Sequence, residues 1–218
     1  MIKDNVERVR EQIGASCARI KVNPDKITLV CVTKGRSIAQ IQEAIALGIK
    51  DIGENKVQEV LQKYQQISDV RWHMIGHLQS NKARDAVKIF DLIHSVDSIS
   101  LAQEINKQAE KINKIQDVLL EVKTSEEATK FGFLPQVLAD SCTEIAKFKN
   151  ISVKGLMTIA PLVSNSQEAA IYFALLRKLR DQLNPNWLLS MGMSDDFQIA
   201  LAEGADIIRV GRAIFQGE

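Results

Sequence analysis

Lys34 follows the apolar run Ile27 to Thr33, so a primary amine closes the chain's cleanest strand pattern. A lysine held at a strand end can condense with an aldehyde, provided that it is deprotonated and correctly aimed. Far along the sequence, Ser190 to Ser194 and Arg209 to Arg212 combine hydroxyls, guanidinium groups and glycines in two successive strand-to-helix turns. Such turns present backbone N–H groups to an anion. An amine plus an anion cradle points to a phosphorylated molecule that bears an aldehyde. Taken alone, Lys34 reads as a solvated lysine ending a strand; its companions favour the chemical reading.

Those residues need a scaffold that brings distant strand ends together. Short apolar, β-branched runs alternate with amphipathic helical patterns. Strands are expected at Ile27 to Thr33, Asp51 to Gly53, Arg71 to Ile75, Leu92 to Val96, Val118 to Val122, Val153 to Ile159, Trp187 to Met191 and Ile207 to Val210. A leading helix carries the stripe Val6, Val9, Ile13, Cys17 and Ile20. Other stripes run Ile38, Ile41, Ile45 before Gly48; Leu101, Ile105, Ala109, Ile112; and Leu134, Leu138, Cys142, Ile145 behind Pro135. Eight strand–helix units without a dividing linker predict an α/β fold, a single (β/α)8 TIM barrel with an extra N-terminal helix that stands in for the last one. An open doubly wound sheet fits less well, because no GxGxxG follows the first strand and the candidate residues spread over many strand ends.

Composition narrows the function. The chain has 218 residues, 45% hydrophobic and 25% charged, and its 28 basic and 27 acidic side chains leave a net charge of +1. That balance recruits neither nucleic acid nor anionic lipid. Cys17, Cys31 and Cys142 show no CxxC spacing and read as buried free thiols, as expected of a cytoplasmic protein. The charged start MIKDNVERVREQ is no secretory leader, and the apolar runs are too short for a membrane span.

At the expected C-terminal rim, the second strand ends in GENKVQE, placing Glu54 and Asn55 on the rim with Val57, Val60, Leu61 and Tyr64 as the next helix's stripe; Asn55 reads equally as an N-cap. The third strand gives WHMIGHLQSNK, whose His73 and His77 lack the helical spacing or nearby cysteine of a metal site. His94 reads as a satisfied core or rim histidine. Met157 and Thr158 end the sixth strand. In SMGMSDD the chain turns at Gly192 into a helix capped by Ser194, with Asp195 and Asp196 expected to point away from an anion. RVGRAIF ends the eighth strand with Gly211 admitting a close backbone approach.

In this order, VTK, GENKVQE, WHMIGHLQSNK, GLMTI, SMGMSDD and RVGRAIF resemble the pyridoxal phosphate homeostasis protein family from Ile27 nearly to the end. The resemblance implies a fold type III barrel, similar to that of alanine racemases, holding pyridoxal 5'-phosphate (PLP) as a Schiff base on Lys34. It further implies Asn55 lining the cofactor, Met157 and Ser190 lining its ring pocket, Ser194, Gly211 and Arg212 holding the phosphate, and Arg209 facing the pyridine nitrogen. Lys34 would need desolvation or nearby cations such as Arg36 to act as a free amine. Arg212 stands where a threonine is common, and Gln216 where a glycine is. The implied role is vitamin B6 and amino-acid homeostasis without robust catalysis, by a monomer whose candidate partners are PLP-dependent apo-enzymes. Chain length agrees, since the racemases add a β-rich domain. The alternatives are a PLP-dependent racemase using His77 or Tyr64 as the second acid–base group, and a phosphosugar lyase whose Lys34 bonds its substrate. Lys82 and Lys130 are candidate secondary aldehyde sites.

Overall fold

The structure, a computed structural model, describes residues 1–127, 131–161, 163 and 165–216. Its strands are β1 (Thr28–Val32), β2 (Asp51–Glu54), β3 (Arg71–Met74), β4 (Leu92–Val96), β5 (Gln116–Glu121), β6 (Ile151–Met157), β7 (Leu188–Ser190) and β8 (Ile207–Val210). All pair in parallel with their sequence neighbours, and β1 closes on β8 through Val30 opposite Arg209, completing the expected barrel. The α-helices are α1 (Ile2–Ile20), α2 (Ile38–Ala46), α3 (Val57–Lys63), α4 (Ala83–Ile89), α5 (Ile99–Glu110), α6 (Leu138–Ile145), α7 (Ala170–Leu183), α8 (Phe197–Ala202) and α9 (Arg212–Phe215). Among the described residues, no helix is long and apolar enough to cross a membrane.

Period-2 alternation sorts each strand into an outer and an inner face. Outward residues such as Cys31, Ile52, Met74, Leu120, Leu189 and Ile208 join the helices in one large apolar cluster, while Val30, Leu119, Met157 and Ile207 form a small separate cluster inside the barrel. Helix α1 buries Val6, Val9, Ile13 and Cys17 and packs against α8, α9 and α2, so it covers the wall beside the very short α9. Helix α2 starts with a reciprocal capping box between Ser37 and Gln40.

Several boundaries differ from the sequence reading. Strand β5 begins at Gln116 rather than Val118, because the fully buried Gln116 amide donates to the Asp91 and Asp117 carbonyls. Strand β6 spans Ile151–Met157 and stops short of Ile159. Pro135 opens a 3-10 turn ahead of α6 and leaves Leu134 exposed; Ile112 falls beyond α5 and is exposed too. The thiols are free, but Cys142 is only half-buried; burial pushes Cys31 up to about 12 and Cys142 to about 11, so neither is a thiolate at neutral pH.

Polar side chains also enter the barrel, and they do so as a connected row. Arg71 donates from Nη2 to Asp51 Oδ2 (2.8 Å), and Nε lies 2.7 Å from Oδ1. An ionised Asp51 only accepts, so His73 Nε2 donates to it (2.8 Å). With one proton on each ring, His94 Nε2 then donates to His73 Nδ1 (2.9 Å) and the Ser190 hydroxyl donates to His94 Nδ1 (2.9 Å). Ser190 Oγ in turn accepts from Arg209 Nη1 (2.6 Å). Burial would raise Asp51, yet the hydrogen bonds from His73 and Arg71 outweigh it and leave the carboxyl below the usual range. Burial, with His73 and the Arg209 guanidinium beside it opposing a second proton, holds His94 well below an ordinary histidine, hence neutral. Every member has a partner, which is the condition on which a buried polar row is tolerable.

Two expectations follow. A Cβ at Gly155 would meet the Leu188 carbonyl oxygen at 2.0 Å across the β6–β7 pair, and backbone cannot give way there. Gly155→Ala should therefore cost about 3 kcal/mol and lower Tm by roughly 10 °C in calorimetry. For His94, the folded state refuses a proton that the unfolded chain binds below about pH 6.5, so stability present above that pH is lost as pH falls, by up to about 1.4 kcal/mol per unit. Urea unfolding of His94→Asn should show a flatter loss of stability between neutral and mildly acidic pH than the unsubstituted protein; equal slopes would contradict this reading.

Candidate functional site

The C-terminal ends of β6, β7, β8, β1 and β2 are consecutive around the barrel, and all the predicted residues lie on them or on the loops that follow. Lys34 stands in the turn after β1, on the same inward parity as Val30 and Val32. Its side chain is exposed, so the desolvation expected for it is not supplied by its protein surroundings. Its neighbours are fixed instead. Thr33 donates its N–H to the Gly53 carbonyl (3.0 Å) and its hydroxyl to Glu54 Oε1 (2.7 Å). Glu54 is consequently not the rim residue expected: β2 runs through it, and the carboxyl is wholly buried.

On the opposite flank, Ser190 and Arg209 form the inner floor. Arg209 is 3% exposed; besides Ser190 it donates from Nη2 to the Thr158 carbonyl (2.9 Å). Burial pushes its guanidinium down to about 10, with Glu121 and Asp196 opposing, so it stays charged at neutral pH. Met157 is buried beside them, paired with Ser190 across β6 and β7. Above this floor the two cradle loops touch. Gly192 has φ +92, and a Cβ there would strike Ala200 at 2.5 Å, so only glycine allows the turn. Ser194 does not cap α8, which starts at Phe197; its Oγ accepts the Ala213 N–H (3.3 Å) in the first turn of α9, tying the β7 loop to the β8 loop.

The acidic pair behaves in two ways. Asp195 turns outward to the exposed Arg212. Asp196 turns inward, contrary to expectation: it is buried and accepts the Met193 N–H (2.6 Å), and its carboxyl is raised by burial in spite of that bond. Gly211 has ordinary φ; glycine suits the position because a Cβ would sit tightly against Val32 Cβ (3.1 Å) and the Val32 carbonyl (3.2 Å), which would have to give way slightly. That contact sets the start of α9 against β1, just before Lys34. A second tie comes from Arg36, whose guanidinium lies 5.2 Å over the Phe215 ring. The lysine turn and the α9 cradle are thus fastened to one another.

Asn55 sits beside this sector. Gly76 lacks a Cβ that would collide with the Asn55 carbonyl at 2.6 Å, and so lets the β2 and β3 loops pack. Asn55 lines a cavity of about 390 Å³ with Gly76, Gln79 and two of the secondary candidates, His77 and Lys82, but with neither Lys34 nor any residue of the Arg209 floor or the cradle loops. A cavity of about 560 Å³ lies at the far, N-terminal end of the barrel, where Asp51 and Arg71 open to it. Tyr64 packs near Trp72 on the outer wall (6.0 Å between ring centroids), and His77 stacks on Phe131 and pairs with Asp97 (3.0 Å). Lys130 lies outside the described residues. Sequence reasoning missed the Asp51–His73–His94 row and Lys63, whose Nζ reaches the Thr33 carbonyl. Inward parity on β2, β3 and β4 was the available signal for the row; for Lys63, it was a lysine four residues after Glu59 on a short helix.

The donor set suits a flat, anionic, aldehyde-bearing molecule: a fixed buried cation below, a primary amine at one edge, and linked N–H-bearing turns at the other. Comparison with known proteins agrees. The model of the alanine racemase N-terminal domain matches residues 1–218. The pyridoxal phosphate homeostasis protein of Aquifex aeolicus is 40% identical, over 97% of this chain and 96% of that one. PipY of Synechococcus elongatus is 36% identical, with 99% of this chain and 100% of that chain covered; TM-scores are 0.87 to its structure without PLP and 0.84 to its structure with PLP bound. Alanine racemase of Clostridium difficile shares the fold at 14% identity and TM-score 0.77, this chain covering 56% of its length. The chain belongs to the alanine racemase N-terminal domain family, and within it to the pyridoxal phosphate homeostasis proteins.

Proposed function

We propose that this protein binds PLP as a Schiff base on Lys34 and holds it for vitamin B6 and amino-acid homeostasis, PLP-dependent apo-enzymes being its partners. Arg209 carries the reading: a guanidinium buried at the end of β8, charged at neutral pH, and able only to donate. PLP, when bound, supplies an aldehyde for the lysine and a pyridine ring whose power to delocalise a carbanion depends on a protonated nitrogen. Opposite that nitrogen, Arg209 would donate to its lone pair and so disfavour protonation, because a pyridinium N–H would face a cationic donor that offers no acceptor. The chain's own residues would do the rest: Ser190 and Thr158 hold the guanidinium plane, Met157 would lie beside the ring, and Asn55 would approach it from the neighbouring β2 loop. Ser194 and Gly211 present the turns that would hold the phosphate, joined by the backbone of Arg212, whose guanidinium is turned to Asp195.

A robust racemase reading lacks its second acid–base group. Tyr64 lies against the outer wall, and His77 is stacked and paired away from the Lys34 turn. The homeostasis names of the relatives favour holding over turnover, and the PLP-bound PipY supports the choice of cofactor.

Apo protein titrated with PLP and reduced with borohydride should carry one adduct, mapped by mass spectrometry to Lys34. Lys34→Ala should lose both the adduct and the yellow absorption. Racemisation of alanine at ordinary enzymatic rates, abolished by Lys34→Ala, would overturn the carrier reading.

A further inference from the structure

Lys63, the last residue of α3, is turned into the protein, where a helix-terminal lysine would ordinarily reach for water. Its Nζ makes three contacts: 2.9 Å to Glu54 Oε1, 2.7 Å to Glu59 Oε1 and 3.2 Å to the Thr33 carbonyl. The side chains of Lys63, Glu54 and Glu59 are 10%, 0% and 25% exposed. Bringing an ammonium and two carboxylates out of water is costly, and a cluster of apolar residues would hold a loop as well. The contacts therefore show what the charges accomplish.

They converge on the two residues that flank Lys34. Glu54 Oε1 accepts the Thr33 hydroxyl (2.7 Å), Lys63 donates to the Thr33 carbonyl, and Glu59 Oε1 accepts the Gly35 N–H (2.6 Å). Gly35 has φ +68, the left-handed conformation that favours glycine. Lys34 itself is exposed and carries four rotatable side-chain bonds, so whatever fixes its amine in space must act through its backbone. The peptide on each side of it is pinned to the same three-charge cluster.

We propose that Lys63, together with Glu54 and Glu59, is a positioning residue for Lys34, a clasp that aims its amine at the aldehyde of a ligand already seated in the cradle. The inference rests on the proposed Schiff base. In that step Nζ adds to the aldehyde carbon, the C=N bond forms, and the aldehyde oxygen leaves as water, so no redox partner is needed. The clasp touches neither phosphate nor ring; it acts on the bond-forming step alone, through near-attack geometry.

The test separates seating from bond formation. Lys63→Met keeps the stem and removes the charge; Lys63→Arg keeps a cation. The rate of growth of the yellow band at saturating PLP reports bond formation. Affinity for pyridoxine 5'-phosphate, which has an alcohol in place of the aldehyde, reports seating. Lys63→Met should slow bond formation about tenfold, leave pyridoxine phosphate affinity within about twofold, and be largely rescued in Lys63→Arg. If Lys63→Met does not fold, Glu59→Ala, at a partly exposed position, should give the same split by removing the Gly35 acceptor. An unchanged rate overturns the proposal, and so does a parallel loss of pyridoxine phosphate affinity, which would mark a general structural role. If the unsubstituted protein forms no band while still binding pyridoxine phosphate, the Schiff-base reading itself fails.

Discussion

A guanidinium that is almost wholly removed from water must be met by fixed acceptors, and the inside of this barrel is organised around that demand. Arg209 finds Ser190 on the neighbouring strand and the Thr158 carbonyl beyond it. Ser190 can accept from Arg209 while donating to His94 because His94 is neutral and bonded onward to His73, and His73 to the ionised Asp51. The row ends at the opposite mouth, where Arg71 meets Asp51 in partial contact with water. The Arg209 donor at one end and the ionised Asp51 at the other thus agree on one set of tautomers along the length of the barrel. Parallel closure makes this possible, since it turns the inward positions of β2, β3, β4, β7 and β8 toward a common axis.

The lysine is handled in the opposite manner. Its side chain is left free in the turn after β1, and order is imposed on the backbone around it. The Gly211–Val32 contact and the Arg36–Phe215 stacking join that turn to the short α9, while the Ser194–Ala213 bond joins α9 to the β7 loop. A buried, fixed cation on the floor and an exposed amine with a pinned backbone at the edge are the two features on which the proposed carrier role rests. An enzyme drawing on the ring's electron-accepting power would be better served by an acid opposite the pyridine nitrogen.

Much of this was legible in the residues. The β-branched runs gave all eight strands, and the polar residues and glycines at their ends put Lys34, Ser190, Ser194, Arg209 and Gly211 at consecutive strand ends, whereas Asn55 lines a cavity of its own. Boundaries moved where a buried polar group extended a strand, as Gln116 does for β5, or where Pro135 opened a 3-10 turn instead of an α-helix. Glu54 looked like a rim residue because its burial depends on Lys63 arriving from the next helix. The Asp51–His73–His94 row was missed for a similar reason: each member is an ordinary polar residue within its own strand, inward parity is a weak signal, and only barrel closure makes them neighbours. Asp196 was expected to point toward basic neighbours or solvent, since nothing in the sequence announces that its carboxylate folds back onto the Met193 N–H.

The central claim is that the bound ring sits with its nitrogen against Arg209 and without a proton. Nitrogen-15 NMR of the protein loaded with PLP labelled at the ring nitrogen tests it most directly. The account predicts the resonance of a neutral, hydrogen-bonded pyridine, moving toward the protonated position only when Arg209 is replaced by glutamate. A pyridinium resonance in the unsubstituted protein at neutral pH would contradict it.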